Sequence, residues 1–304
     1  MSSTAPIDTL LAAHRSTAGG VRTARRLVFE GVGDRDVYNV SVPFEDPARP
    51  GRRLIAGRVE ERSSEHSTVV FFAETDGVWR PVPGAARLVL QDPFVVVLAG
   101  VTYVGGVEID EPTDGTGELR YRTIVLRCDS VADLEPVFYG PWGMKDLRFG
   151  ELPDGRVAVL TRPQGGGDGR GRIGVTVVGA LERLTVADVE SAPRLEGLFL
   201  AEEWGGANQV DVLVDGRLDV LGHIARFDAD GGRHYYPMTF VVDPVALTWS
   251  PPRILFERQD LPEGEAKRPD LRDVVFPGGR EVRDGTTTLV CGVGDAETWR
   301  VELD

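Results

Sequence analysis

The sequence predicts an all-β fold, read as a five-bladed β-propeller with a short N-terminal helix. Three observations carry this. The apolar text falls into many short runs rich in Val, Ile, Phe and Thr, and Asp-Gly pairs punctuate those runs. The alternating helices of about 10–15 residues that a doubly wound or βα-barrel fold requires are absent. Short antiparallel strands in this number leave a sandwich pair, a β-helix or a propeller, and no fixed-period repeat marks a solenoid. About 60 residues per unit would give roughly five four-stranded blades.

Taken in order, the first element is a helix near Pro6 to His14, where Ile7, Leu10 and Leu11 recur at helical spacing. Strands follow at Leu27 to Phe29, Tyr38 to Val42, Leu54 to Val59, Thr68 to Ala73, Phe94 to Ala99 and Tyr121 to Leu126. Further strands are expected at Val157 to Thr161, Ile173 to Val178, Val210 to Val214, Leu218 to Ile224, Met238 to Val242 and Thr287 to Val293, with a short helix at Val186 to Val189. Hairpins are expected at Asp76-Gly77, Asp114-Gly115, Asp154-Gly155, Asp215-Gly216, Asp230-Gly231 and Asp284-Gly285, because Asp-Gly supplies the positive φ of tight turns. The Gly-rich stretch Gly165 to Gly171 reads as a loop between strands. No linker divides the chain, so residues 1–304 are expected to form one propeller domain with residues 1–25 packed on it as an extension.

Composition narrows the function. The 304 residues carry 34 Lys plus Arg against 48 Asp plus Glu, a net charge of −14. Nucleic acid held on a basic face is therefore not expected as a partner. A small anion is not excluded, since a local cluster can oppose the net field. No stretch approaches the roughly 18 apolar residues of a membrane span, and the N-terminus lacks a secretory h-region. Cys128 and Cys291 make neither a disulfide framework nor a metal pair. The expectation is a cytoplasmic protein without a membrane. Only Lys145 and Lys267 among the basic residues are lysine. Codon bias accounts for the arginines; a surviving Lys points to positions where a compact ammonium is needed instead of a planar fork.

Three polar segments interrupt the apolar text. In Gln91-Asp92-Pro93-Phe94 the proline is expected to hold Asp92 extended at a strand entrance, aimed into a central cavity; the other reading is a turn Asp. In Trp142 to Phe149, and across the next hairpin in Thr161-Arg162-Pro163-Gln164, adjacent strands would bring Lys145 near Arg162. That pair suits phosphate, against the alternative of a surface ion pair. Asp146 would alternate to the opposite face from Lys145 unless the segment is irregular. In Glu202 to Gln209, an exposed Trp204 among amides and carboxylates suits a sugar, against a core Trp closing a hairpin. His223 reads either as a site residue or as a satisfied strand histidine. The chain has no G-x-S-x-G, H-E-x-x-H, P-loop or Rossmann fingerprint, and His14, His66, His223 and His234 do not form a zinc set.

Asp92-Pro93, Lys145-Asp146, Arg162-Pro163, Gly205-Gly206-Ala207, Gly222-His223 and Val275-Phe276-Pro277-Gly278 with Asp295 stand in an order that resembles distantly the five-bladed mannoside phosphorylases of glycoside hydrolase family 130. Asp36-Val37-Tyr38-Asn39, Gly143-Met144-Lys145-Asp146, Thr161-Arg162-Pro163-Gln164, Glu203-Trp204-Gly205-Gly206, His234-Tyr235-Tyr236-Pro237-Met238 and Lys267-Arg268-Pro269-Asp270 resemble a family long labelled a domain of unknown function. That family includes the Leishmania mannosyltransferase/phosphorylases of glycosyltransferase family 108, which act on β-1,2-mannan; the chain looks like a bacterial member. The likeness runs from about Phe29 to Ala296.

The resemblance implies a funnel-shaped site on the propeller axis and a single catalytic acid, Asp92, with its pKa raised by burial. Phosphate is its own nucleophile, so no general base is required. Lys145, Arg162 and Gln164 occupy the phosphate-binding positions, Gln164 replacing the usual His. Asn39, Asp146, Trp204, Asn208, His223 and Asp295 are candidate sugar contacts. No metal or cofactor is implied; inorganic phosphate is the co-substrate and a mannose-containing oligosaccharide the partner. The implied reaction is reversible, inverting phosphorolysis of β-1,2-mannosides to mannose 1-phosphate. Its rivals are an inverting hydrolase, a sugar-nucleotide-dependent mannosyltransferase, and a propeller that binds glycan or protein without turnover.

Overall fold

The computed structural model describes residues 4–17, 20–110 and 119–304. The chain is mostly β, with helices at Ile7–Ser16 and Val186–Glu190 and four short 3₁₀ turns among the described residues. None of these helices is long and apolar enough to cross a membrane.

The strands follow as five antiparallel runs. The first holds Asp36–Tyr38, Arg53–Glu60, Ser67–Thr75 and Val78–Pro81, and the second Gln91–Leu98, Val101–Asp110, Arg120–Ser130 and Asp133–Tyr139. Arg148–Glu151, Val157–Thr161 and Gly174–Val178 form the third. Trp204–Val212, Leu218–Phe227 and Arg233–Asp243 form the fourth, and Asp273–Arg283, Thr286–Val293 and Glu297–Leu303 the fifth. Hydrogen bonding does not separate them into five blades. A short parallel pairing, His234 with Asp273 and Tyr235 with Val274, merges the fourth and fifth runs, leaving four sheets among the described residues.

Side-chain packing links each run to the next. Phe71 and Leu54 share a cluster with Val104 and Ile124, and Phe94 and Val125 one with Leu147 and Phe149. Leu160 and Val175 pack with Leu218 and Ile224; Leu221 packs with Val275 and Leu289; Ile55 and Phe72 meet Val290. The last contact returns to the first run, so the circuit closes.

Five of the Asp-Gly hairpins stand where expected. Asp76-Gly77 and Asp284-Gly285 have positive φ at both residues, the geometry that matches strand twist; at Asp154-Gly155, Asp215-Gly216 and Asp230-Gly231 the glycine alone has it. Asp114-Gly115 lies outside the described residues. Ala99-Gly100 makes a further turn with both φ positive, between Gln91–Leu98 and Val101–Asp110, without the Asp-Gly signature. The strand expected over Tyr38 to Val42 stops at Tyr38, because Asn39 turns to φ +44° and leaves the ladder.

The described residues before Leu27 make two kinds of contact with the rest of the chain. Ile7, Leu10 and Leu11 of the helix are buried against the third and fourth runs, and the Ile7 N–H donates to Glu203 at 2.7 Å. Arg15 donates twice to Glu257, each bond 2.7 Å, while His14 meets Asp260 at 2.8 Å. Val21–Arg26 then pairs with Glu297–Leu303 as an edge strand of the fifth run.

Two glycines let the fifth run approach the first. A Cβ on Gly278 would lie 1.8 Å from the Val40 carbonyl oxygen, and one on Gly292 would lie 2.0 Å from Asn39 Oδ1. Gly278→Ala should therefore lower the thermal midpoint by about 2–5 °C, an overpacking cost of roughly 1–3 kcal/mol. Gly167→Ala, with nothing within 4 Å of the added carbon, should leave it unchanged. Circular-dichroism melts check the pair; equal midpoints would show that the close approach is not a constraint.

Candidate active site

Gln91–Leu98, Arg148–Glu151, Trp204–Val212 and Asp273–Arg283, the first strands of the second to fifth runs, lie against one another, and polar residues stand where their ladders are irregular. Asp92 sits in a register break between Gln91 and Phe94, Asn208 in one between Ala207 and Gln209. Eight described non-glycine residues have positive φ; five are turn residues, Asp295 in the hairpin between Thr286–Val293 and Glu297–Leu303 among them, and the other three are Asn39, Asp92 and Asp146. Left-handed backbone is costly for such residues and tends to mark functional positions. Asp92 is thus not held extended before Pro93, as the sequence suggested; its φ is +47°. At φ +64° Asp146 also escapes strand alternation, which puts it in the electrostatic field of Lys145 and Arg162.

Asp92 is 6% exposed and its two oxygens differ. Oδ1 accepts from Asn39 Nδ2 at 2.9 Å and from Arg58 Nη1 at 3.2 Å. Oδ2 accepts no hydrogen bond among the described residues, and Lys145 Nζ stands 3.9 Å from it, too far for one. Burial opposes ionisation of Asp92, but Arg58, Lys145 and the Asn39 hydrogen bond outweigh it and hold the carboxyl below its ordinary value. The expected upward shift is therefore reversed, because two cations face the carboxylate.

Arg162 is 3% exposed, so it is no surface ion pair. It donates to the Gly205 carbonyl at 2.8 Å and meets Asp146 Oδ2 at 3.2 Å. Burial disfavours charge on Asp146, yet Lys145 and Arg162 keep its carboxyl low as well. Gln164, partly exposed, accepts from the Tyr121 hydroxyl. His223 is buried, with Nδ1 2.8 Å from Asn208 Oδ1, and stacks on Tyr235 with Phe276 tilted against it. Burial, then Arg162, Lys145 and Arg148, push its pKa well below the usual value, so the imidazole is neutral.

Trp204 corrects an expectation. At 3% exposure it is the core Trp of its hairpin, packed on Phe227 and donating to the Tyr235 hydroxyl at 3.1 Å, so it offers no open platform. Tyr235 and Phe276, both partly exposed, are the aromatic rings beside His223. Asp295 lies within the electrostatic reach of Asp92 and Arg58. Burial and the neighbouring Asp92 push its carboxyl up to about 6, against the pull of Arg58.

Three charged residues escaped the sequence reading. Arg58 binds both Asp92 and Glu60; Glu60 is 1% exposed; Arg148 donates to Asn208 O at 2.7 Å and lies over the Phe94 ring at 4.3 Å. In sequence they look like the polar half of alternating strands. Only Lys267, one of the two lysines, gave a signal: it pairs with Glu60.

The polar groups are left incompletely satisfied here. Of six buried side-chain N or O atoms without a hydrogen-bond partner among the described residues, five belong to Asn39, Asp146, Thr161, Arg162 and Asn208. Buried polar atoms are normally paired, so such a concentration marks a place built to meet a polar ligand. The chemistry on offer is an anion site of Lys145 and arginines next to a carboxylate with one free oxygen.

The raised Asp295 value has a stability consequence. A folded-state value above the ordinary carboxyl means that ionisation costs stability as pH rises toward about 6. Asp295→Asn stays neutral, so it should raise the thermal midpoint at about pH 8 and leave it unchanged near pH 4. An equal gain at both pH values would contradict the assignment. For Asp92 and Asp146 the sign is opposite: their stabilisation is present above the ordinary carboxyl range and lost as pH falls below it.

MPT-4, a mannose phosphorylase from Leishmania mexicana solved with a phosphate ion, is 31% identical with a TM-score of 0.89, covering 98% of this chain and 92% of its own. MPT-1, a GDP-Man-dependent mannosyltransferase from the same organism, is 30% identical with a TM-score of 0.86, covering 97% and 93%. A β-1,2-mannobiose phosphorylase from Listeria innocua shares the fold at 13% identity and a TM-score of 0.62, covering 89% and 90%. No curated protein sequence matches the chain. The model of a family described as a protein of unknown function, DUF1861, matches residues 13–304, and the chain belongs to that family.

Proposed function

We propose that this protein is a mannoside-processing enzyme that carries out reversible, inverting phosphorolysis of β-mannosides, with β-1,2-mannosides as substrates. The observation that carries the reading is Asp92: one oxygen fixed by Asn39 and Arg58, the other free and 3.9 Å from the Lys145 ammonium. The similarity to a phosphorylase solved with phosphate supports it. Five antiparallel runs packed in a closed circuit support a five-bladed propeller with this site on its axis.

In the phosphorolytic direction, phosphate held by Lys145 and Arg162 attacks the anomeric carbon. The C1–O glycosidic bond breaks, a C1–O–P bond forms with inversion, and Asp92 Oδ2 gives its proton to the leaving oxygen. The products are mannose 1-phosphate and the shortened glycan. Phosphate binding also prepares the acid: negative charge beside Lys145 offsets the cation that keeps Asp92 ionised, raising its proton affinity. In the synthetic direction the ionised Asp92 of the free protein is already the base that takes the proton of the attacking hydroxyl.

That ionised state also favours a second reading, transfer from a sugar nucleotide, which differs only in the leaving group and has a 30% identical counterpart in MPT-1. A hydrolase would need a free carboxylate for water. Asp146, with Oδ2 on Arg162 and Oδ1 without a partner, and Asp295 are the carboxyls near Asp92 that could serve it.

Two variants test the roles. Lys145→Ala should raise the apparent KM for phosphate by about one to two decades, since a charge-assisted contact is worth roughly 1.5–3 kcal/mol. Unchanged phosphate dependence, with mannose instead of mannose 1-phosphate as product, would favour the hydrolase. Asp92→Asn should slow cleavage of an unactivated β-mannoside by about 10²–10⁴-fold while ligand binding survives, and an acidic leaving group should be hurt less. Parental turnover by the Asn variant would end the assignment, and no turnover by the parent itself would favour the non-catalytic reading.

A further inference from the structure

Behind Asp92 runs a buried chain of charges that the proposed reaction does not itself use. Arg58 Nη1 reaches Asp92 Oδ1 at 3.2 Å, while its Nη2 and Nε hold Glu60 Oε2 at 2.7 and 3.1 Å. Glu60 Oε1 accepts from the Tyr38 hydroxyl at 2.7 Å and from Lys267 Nζ. Lys267 Nζ also donates to the Ser64 carbonyl and meets Glu65 Oε1 at 3.1 Å. The side chains of Arg58, Glu60 and Lys267 are 7%, 1% and 4% exposed.

We propose that Lys267 and Glu60 are positioning residues for Asp92: they lock Arg58 onto Oδ1 and set the charge that this carboxyl feels. The inference rests on the reading of Asp92 as the proton-transferring group. It also explains why position 267 is lysine in a chain that uses arginine almost everywhere. The three ammonium hydrogens match three convergent acceptors, Glu60, Ser64 and Glu65, whereas a planar guanidinium spreads its donors in one plane. Both lysines of the sequence thus stand around Asp92, Lys145 facing Oδ2 directly and Lys267 acting on Oδ1 through Glu60 and Arg58.

The charged and titratable groups acting on Asp92 from the surrounding elements are Arg58, Lys145, Asp146, Arg148, His223 and Asp295, with Asn39 as a neutral donor. Against that fixed background, changes at the two positioning residues have opposite signs. Lys267→Met removes a positive charge and leaves Glu60 to compete for Arg58, so Asp92 should bind its proton more tightly. Glu60→Gln removes a negative charge, so Asp92 should bind it less tightly.

The test is a carboxyl ¹³C NMR titration, with the Asp92 signal assigned by its loss in Asp92→Asn, and the pH profile of β-mannoside phosphorolysis beside it. The Asp92 midpoint should move up by on the order of one pH unit in Lys267→Met and down in Glu60→Gln. Lys267→Arg keeps the positive charge and should leave the Asp92 midpoint near the parent's. Midpoints that stay put, or that move together, would overturn the proposal, since mere loosening of the structure gives no opposed shifts. If either single change unfolds the protein, the charge-neutral Lys267→Met/Glu60→Gln variant decides. It should fold, keep the phosphate KM, and lose at least about tenfold in kcat because Arg58 is no longer anchored; a parental kcat would overturn the proposal. The NMR midpoints do not depend on turnover, so opposed shifts in a protein without phosphorolytic activity would uphold the positioning role and reject the phosphorylase reading.

Discussion

A carboxylate taken out of water and kept charged is the constraint around which the centre of this protein is organised. Asp92 is nearly fully buried, and a lone carboxylate there would take up a proton. Arg58 and Lys145 prevent that. Each cation then needs its own neighbours: Arg58 takes Glu60, and Glu60 takes Tyr38 and Lys267. Arg162 and Asp146 form a second buried pair, with Arg148 fixed by two backbone carbonyls. Buried ion pairs seldom stabilise a fold relative to apolar packing. Their concentration in a chain of net charge −14 is better understood as the cost of an anion-competent centre.

The scaffold meets that cost by exchanging regularity for aim. Asn39, Asp92, Asp146 and Asp295 come from different parts of the chain, and all four take left-handed backbone at the point where they enter the site. Such a conformation persists only if the surroundings over-determine it. They do: the runs pack on one another in a closed circuit, and Gly278 and Gly292 allow the fifth run to press directly on residues 39–40. A site made from the ends of several strands also keeps its rigid parts separate from its reacting parts. The apolar clusters lie between the runs, and most of the charged groups lie at strand ends and in the segments joining strands.

How much of this was legible in the sequence follows from what each residue's neighbours look like. Apolar runs such as Val157–Thr161 and the Asp-Gly turns carry their structure locally, and they were readable. Val101–Asp110 was not, since Gly105 and Gly106 break its pattern and its turn is Ala-Gly; the glycines are there because Phe94 and the Gln91 carbonyl occupy the Cβ positions. Asp92, Lys145 and Arg162 stood out as polar residues against apolar text and do converge. Arg58 and Glu60 alternate with Gly57 and Val59 and so resemble a solvent face; only the closed packing shows that both faces of that strand are buried. Trp204 looked exposed because its sequence neighbours are polar and small, yet Phe227 and Tyr235 from the next strands cover it. The left-handed backbone at Asp92 runs against the extended preference before proline and agrees with the turn-Asp reading, since Asp tolerates that conformation.

The claim that joins these observations is that the cations around Asp92 exist to hold a phosphate against a mannosyl carbon. The most direct measurement is to incubate the protein with mannose 1-phosphate and mannose and to follow inorganic phosphate, with GDP-mannose and mannose as the parallel arm. Release of phosphate matched by a β-linked mannobiose is the predicted result. Product formed only from GDP-mannose, or from neither donor, would contradict the account.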